Sequence, residues 1–263
     1  MPVAEEQCEI RVGDGRLGAT VVRPRQLLPA VLFVHGWGGT QERYLARARD
    51  IAALGCVCLT FDLSGHAANR ARFETVTREE NLQDVIAAYD LLAAQPGVDR
   101  GRIAVVGSSY GGYLAAILTS LRAVQWLALR VPALYVDSGW AVPKLQLRKE
   151  QNLDAWRQTV VRAEENRALH ACSDFRGDVL LVQSETDHLI PPAVLSNYRE
   201  ACINARSLTY RVMKGADHGL TDERARQAYT AILFNWLREM LFGAEQVAGQ
   251  VASPAVAKAG HHG

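Results

Sequence analysis

The chain has 263 residues, 49% of them hydrophobic, which is enough to bury one large core and fits a single α/β domain better than two small ones. Its 29 basic and 28 acidic residues leave a net charge of +1, so neither a nucleic-acid groove nor an anionic membrane surface is expected as the main partner. The five cysteines (Cys8, Cys56, Cys58, Cys172 and Cys202) are odd in number and irregularly spaced, which argues against a disulfide framework and against a zinc site. The opening "MPVAEEQCEI" lacks the apolar segment of a signal peptide, and no window reaches the length of an apolar membrane span. A cytoplasmic protein with reduced thiols is expected.

Two short strand candidates, "CEIRV" and "ATVVRP", flank the turn-like "GDGRLG". Five apolar runs follow: Ala30 to Gly36, Gly55 to Asp62, Arg102 to Ser108, Gln125 to Ala133 and Asp178 to Glu185. Runs this short and this rich in Val, Ile and Leu read as strands buried on both faces. Ser207 to Gly215 is less apolar and reads as a strand nearer a sheet edge. Helices fall between them. Thr77 with Glu80 forms a capping box ahead of the stripe Leu82, Val85, Ile86, Tyr89 and Leu92. Pro191 and Pro192 open a helix through Cys202, and Thr221 starts a last helix with Tyr229, Ile232, Leu233, Trp236, Leu237 and Met240 on its buried face.

This alternation predicts a mainly parallel sheet with helices on both faces, whose sites lie beyond the carboxyl ends of the strands. The expected domain is 1–242. Within it, 134–175 is too long for a plain connection and is read as a short lid, with an ordinary crossover helix as the alternative. Leu153, Trp156, Val160 and Ala163 there suggest one amphipathic helix. The tail 243–263 is Ala-, Gly- and Val-rich without a pattern and is expected to lack fixed structure, with His261 and His262 inert.

"GSSYG" (Gly107 to Gly111) fits G-x-S-x-G between a buried strand and a helix, the frame of a nucleophile elbow. The glycine frame selects Ser109 and leaves Ser108 as a small residue packed under the turn. A serine hydroxyl needs a base and an acid to orient that base. His218, in "GADHGL" after the last strand, is the expected base. Asp187, in "SETDHLIPP", is the expected acid, with Glu185 and Asp217 as rivals. His188 reads as a loop or pocket-rim residue. The oxyanion donors are expected to be the backbone N–H groups of Tyr110 and of Trp37 in "HGWGG", with His35 holding that loop.

"HGWGG", "FDLSGH", "GSSYGG", "ETDHLIPP" and "GADHG" together resemble the α/β-hydrolase family, in the family's order and over residues from about Ala30 to Met240. The elbow is similar to those of prolyl-oligopeptidase-like, dienelactone-hydrolase-like and feruloyl-type enzymes. The resemblance implies Ser109 as nucleophile, Asp187 as acid, His218 as base and Trp37 and Tyr110 as oxyanion donors, with no metal and no organic cofactor. It departs from the family at Ser64 and Ala67, in a loop that often carries Arg and Gly there. The function expected is a serine hydrolase of small to medium carboxylic esters or thioesters. A small aminopeptidase with the same triad is the alternative, for which Asp137, Glu150 and Asp154 are candidate anchors of a substrate amine. A non-catalytic binding protein on this fold is a further alternative. Oligomeric state is not legible.

Overall fold

A computed structural model describes residues 3–12, 15–24, 27–150 and 152–251. The chain opens with β1 (Val3–Val12) and β2 (Gly15–Pro24), an antiparallel hairpin that forms its own two-stranded sheet. β2 begins at Gly15, within the stretch "GDGRLG" read as turn-like. The main body is β3 (Leu28–Val34), α1 (Glu42–Ala52), β4 (Val57–Thr60), α2 (Arg78–Ala93), β5 (Val98–Ser108), α3 (Tyr110–Leu118) and β6 (Trp126–Arg130), followed by α4 (Lys144–Glu150), α5 (Leu153–Trp156), α6 (Arg167–Asp174), β7 (Asp178–Ser184), α7 (Pro192–Ala201), β8 (Ser207–Met213) and α8 (Glu223–Val251).

The six strands β3 to β8 make one parallel sheet in the order β4-β3-β5-β6-β7-β8, so β8 is the edge strand its weaker apolarity predicts. Successive side chains alternate between two cores. Ala30, Leu32, Ile103, Val105, Leu127 and Leu129 face the side covered by α2, α3, α6 and α7. Val31, Phe33, Ala104, Val106, Ala128 and Leu180 face the side covered by α1 and α8. Both faces of β3, β6, β7 and the second half of β5 are buried, which is why these strands read as continuous apolar runs; β4, also expected to be buried on both faces, is the other edge strand and is only half-buried. In α8, Tyr229, Leu233, Trp236, Leu237 and Leu241 are buried, with Ile232 and Met240 partly so. Burying an aliphatic or aromatic side chain of this size contributes about 1.5–3 kcal/mol.

The capping box of α2 is present: Thr77 Oγ1 accepts from the Glu80 N–H at 3.1 Å and the Glu80 carboxylate accepts from the Thr77 N–H at 2.9 Å. The start of α8 lies one residue later than expected. Asp222 caps it by accepting from the Arg224 N–H at 3.0 Å, while the Thr221 hydroxyl is turned back to Asp217 at 2.7 Å. Region 134–175 holds no single amphipathic helix through Val160. Among the described residues three short α-helices and a 3-10 turn (Ala163–Glu165) stand there, and Val160 is 78% exposed. Asn152 and Asn166 each cap a new helix, and the Thr159 hydroxyl donates to the Trp156 carbonyl at the end of α5, so the chain restarts where the apolar spacing alone suggests continuity. The crossover onto β7 is α6, packed on α3 through Ala168, Leu169 and Cys172. At the other end, α8 runs through Gly243 to Val251, and 252–263 lie outside the described residues. Among the described residues no helix is long and apolar enough to cross a membrane, no group of His, Cys, Asp and Glu could hold a metal, and Cys56, Cys58, Cys172 and Cys202 are unbridged.

Candidate active site

In strand order β3 and β5 are adjacent, yet β4 intervenes between them in the chain. The order in which strands are added reverses there, and the loops leaving β3 and β5 open a crevice at their carboxyl ends. Into it project the 36–39 loop and the turn at Ser109.

Ser109 has φ 53° and ψ −118°, a conformation that L-residues adopt only under constraint. The constraint comes from the two framing glycines. A Cβ at Gly107 would lie 2.5 Å from the Gly111 carbonyl oxygen, and one at Gly111 would lie 2.3 Å from the Val34 carbonyl oxygen. Strand and helix therefore pack at backbone contact, and the residue between them turns its side chain outward. Ser108 continues the alternation of Ala104 and Val106 and is buried toward α8. Ser109 is held by its own N–H donating to the Arg130 carbonyl at 3.0 Å and by its carbonyl accepting from Ala133 N–H at 2.9 Å.

His218 follows β8. Its Nδ1–H donates to Asp187 Oδ2 at 2.7 Å, so in the neutral ring Nε2 is the acceptor nitrogen, and it has no partner among the described residues. The other oxygen of Asp187 accepts from the N–H groups of Leu189 and Ile190, each at 2.8 Å. Burial pushes this carboxyl up, but the bond from His218 and the two backbone N–H groups outweigh it and hold it below its ordinary value. The two loops are tied together: Thr186 N–H donates to the Ala216 carbonyl at 2.9 Å, and the Gly215 N–H donates to Glu185 at 2.8 Å. Glu185 and Asp217 are thus occupied elsewhere, Asp217 by the Thr221 N–H and hydroxyl. His188 is exposed and stands outside the cavity.

His35 is buried. Its Nδ1–H donates to the Gly36 carbonyl at 2.8 Å and its Nε2 accepts from the Leu63 N–H at 3.0 Å, which clamps the 36–39 loop onto the 62–67 loop. Asp62 adds two bonds from Gln41, at 2.8 Å and 2.9 Å. The Trp37 and Tyr110 rings meet edge to face at 5.5 Å. Their backbone N–H groups have no acceptor among the described residues, and Tyr110 is the first residue of α3, where such an orphan is expected. Lys144 of α4 stands 3.9 Å from the Trp37 ring centre and 4.8 Å from that of Tyr110, joining the 134–175 segment to this loop.

A cavity of about 580 Å³ lies on the α1 and α8 side, and Ser109, His218, Trp37 and Gly36 are in its wall. Ser109 and His218 are not hydrogen-bonded to each other; they share the cavity. Asp137, Asp154 and Glu150 are not in its wall. Asp137 accepts from the Arg167 N–H at 2.6 Å, Asp154 is exposed, and the side chain of Glu150 lies outside the described residues. Burial pushes the thiols of Cys56 and Cys58 up to about 11 and about 12, so neither is a nucleophile at neutral pH.

Arg130 was not singled out by sequence. It donates to the His218 carbonyl at 2.9 Å and so fixes the loop that carries the imidazole. The signal was there, as a cation between Leu129 and Val131 in a strand otherwise buried on both faces.

A parallel sheet with this elbow and this order of strands and loops defines the α/β-hydrolase fold. Residues 44–243, well over half of the chain, match the model of the prolyl oligopeptidase family, and the chain belongs to that family. It is a hydrolase of the α/β-hydrolase type. Among solved structures it is similar to a metagenome-derived lipolytic enzyme of the LipS and LipT pair, at 18% identity over 81% of this chain and 96% of that one, with a TM-score of 0.63. It is similar to a putative dienelactone hydrolase from Klebsiella pneumoniae, at 18% identity over 90% and 98%, TM-score 0.59. It is also similar to the acylaminoacyl peptidase of Pyrococcus horikoshii, at 16% identity over 90% of this chain but 42% of that one, TM-score 0.59.

Proposed function

We propose that this chain hydrolyses small to medium carboxylic esters or thioesters through an acyl-enzyme on Ser109. The observation that carries the reading is the Asp187–His218 hydrogen bond, which in the neutral ring makes Nε2 the acceptor, with His218 in a cavity wall shared with Ser109. The substrate closes the serine–histidine contact, as catalytic bonds commonly tighten only in the complex. Ser109 Oγ attacks the carbonyl carbon while Nε2 takes its proton, and the new oxyanion is received by the Trp37 and Tyr110 N–H groups. Collapse expels the alcohol or thiol, which takes the proton back from His218. Water, deprotonated by the same nitrogen, then releases the acid. Asp187 stays ionised and steadies the imidazolium. Each oxyanion donor is worth about 10²- to 10³-fold in rate.

Lipolytic and dienelactone-hydrolase relatives favour an ester, whereas the acylaminoacyl peptidase keeps a peptide substrate as the second reading. Among the described residues no carboxylate lines the cavity to hold a free amino terminus, which favours the ester. The test is turnover of p-nitrophenyl esters from acetate to dodecanoate by wild type, Ser109→Ala and Ser108→Ala. The proposal requires that Ser109→Ala remove turnover and Ser108→Ala retain it. Wild-type turnover by Ser109→Ala would refute it.

A further inference from the structure

We infer that the cavity beside Ser109 receives a carboxylate carried by the substrate itself. This deepens the ester-hydrolase reading and rests on it. Four arginines stand in the cavity wall: Arg43 and Arg47 from α1, Arg130 from the end of β6 and Arg226 from the first turns of α8. Among the described residues no aspartate or glutamate joins them.

What each guanidinium touches is neutral. Arg130, only 7% exposed, donates to the His218 carbonyl at 2.9 Å and approaches Ser184 Oγ at 3.5 Å, with the Tyr229 ring centre 5.5 Å away. Arg47 donates to Thr230 Oγ1 at 3.2 Å and lies 4.7 Å from the same ring centre. Arg226 donates to the carbonyls of Leu220 and Thr221, at 3.0 Å and 2.6 Å. Arg43 is exposed and has no partner among the described residues. None of the four is in an ion pair among the described residues, whereas Arg72, Arg122 and Arg206 elsewhere each meet a carboxylate.

Arg130 is the buried one of the four, Arg47 is half-buried and Arg226, like Arg43, is exposed; a buried cation is ordinarily paired, because removing it from water without a counter-charge is costly. Here the like charges converge on one concave surface, in a wall that also holds Ser109 and His218. Lodging an anion there relieves their mutual repulsion. The planar fork of a guanidinium matches a carboxylate in two parallel bonds. The register of the sheet explains the placement. Ser108, Arg130 and Ser184 are the even-numbered ends of β5, β6 and β7, all directed to the α1 and α8 side.

The test uses two matched pairs of chromogenic esters at fixed ionic strength, on wild type, Arg43→Gln and Arg226→Gln. The first pair is p-nitrophenyl hexanoate and the mono-p-nitrophenyl ester of adipate, which puts the charge on the acyl half. The second is p-nitrophenyl acetate and m-carboxy-p-nitrophenyl acetate, which puts it on the alcohol half. The inference predicts that in one pair the charged-to-neutral ratio of kcat/KM falls roughly 10-fold in the variants, the size of one lost charge-assisted bond. Unchanged ratios in both pairs, with the esters turned over, would overturn it and leave the serine mechanism standing. Calorimetric binding of adipate decides the case in which no ester is cleaved. Binding that depends on Arg43 and Arg226 would then uphold the inference while the ester reading falls, and binding that ignores them would sink both.

Discussion

Asp187 is gripped from two sides: Oδ2 accepts from His218 Nδ1 at 2.7 Å, and Oδ1 accepts from the Leu189 and Ile190 N–H groups at 2.8 Å each. The backbone bonds set the direction of the carboxylate, and the carboxylate sets the tautomer of the ring. An asparagine can keep the backbone bonds through its amide oxygen but presents an N–H to Nδ1, which favours the other tautomer and puts the proton on Nε2. Asp187→Asn is therefore expected to lower kcat by about 10⁴-fold while the protein still folds. Asp217→Ala instead removes the two bonds from the Thr221 N–H and hydroxyl in the loop before α8, leaving kcat at the wild-type level and costing about 1 kcal/mol. Steady-state kinetics and thermal unfolding of both variants check this.

The turn at Ser109 depends on backbone contact at its two glycines. With 2.3 Å between a Cβ at Gly111 and the Val34 carbonyl oxygen, β3 and α3 must separate to admit a methyl group. Gly111→Ala is expected to destabilise by about 3 kcal/mol or more and to lose activity with it. Ser109→Gly tests the strain from the other direction. The positive φ costs a serine about 1–3 kcal/mol, so this variant should unfold at higher denaturant than Ser109→Ala.

Two buried histidines give stability a pH dependence. Burial lowers the pKa of His35 and of His66 from 6.5, and their favourable backbone bonds only partly offset it. The unfolded chain takes up these protons near pH 6.5 and the folded chain only at lower pH. Stability is then complete above pH 6.5 and is lost as pH falls toward the folded values. His66 Nε2 has no hydrogen-bond partner among the described residues, and its ring packs on Trp37 and Phe73. His66→Phe should make the fall in urea midpoint between about pH 7 and about pH 5.5 shallower. An equal slope in the variant would contradict the assignment.

Lys144 joins the 134–175 segment to the 36–39 loop through the Trp37 ring. Lys144→Met keeps the stem and removes the charge. It is expected to raise proteolytic nicking within 134–175 and to lower kcat several-fold, as Trp37 loses a cation–π contact of about 2 kcal/mol. Limited proteolysis alongside ester turnover reads both effects.

The parallel sheet was legible because each central strand is buried on both faces and therefore apolar throughout, a pattern local to seven or so residues. The elbow and the residues after β7 and β8 were legible for the same reason: fold and chemistry both act within a few positions. What escaped depends on contacts distant in sequence. Arg130 reads as a polar accident in a strand until β6 and β8 bring it to the His218 carbonyl. The break at Val160 depends on Asn197, which accepts from the Val161 N–H at 3.3 Å and donates to the Thr159 carbonyl at 3.1 Å, so a loop replaces the helix that spacing favours. The arginine wall joins α1, β6 and α8, three elements that no window of sequence spans.

The central claim is that Ser109, and not its neighbour, is the nucleophile. The most direct measurement is labelling of the intact protein with a fluorophosphonate, followed by mass spectrometry of the peptide that contains both serines. One adduct per chain on Ser109 is predicted, present in Ser108→Ala and absent from Ser109→Ala and at least slowed in Asp187→Asn. An adduct on Ser108, or labelling that persists in Ser109→Ala, would contradict the account.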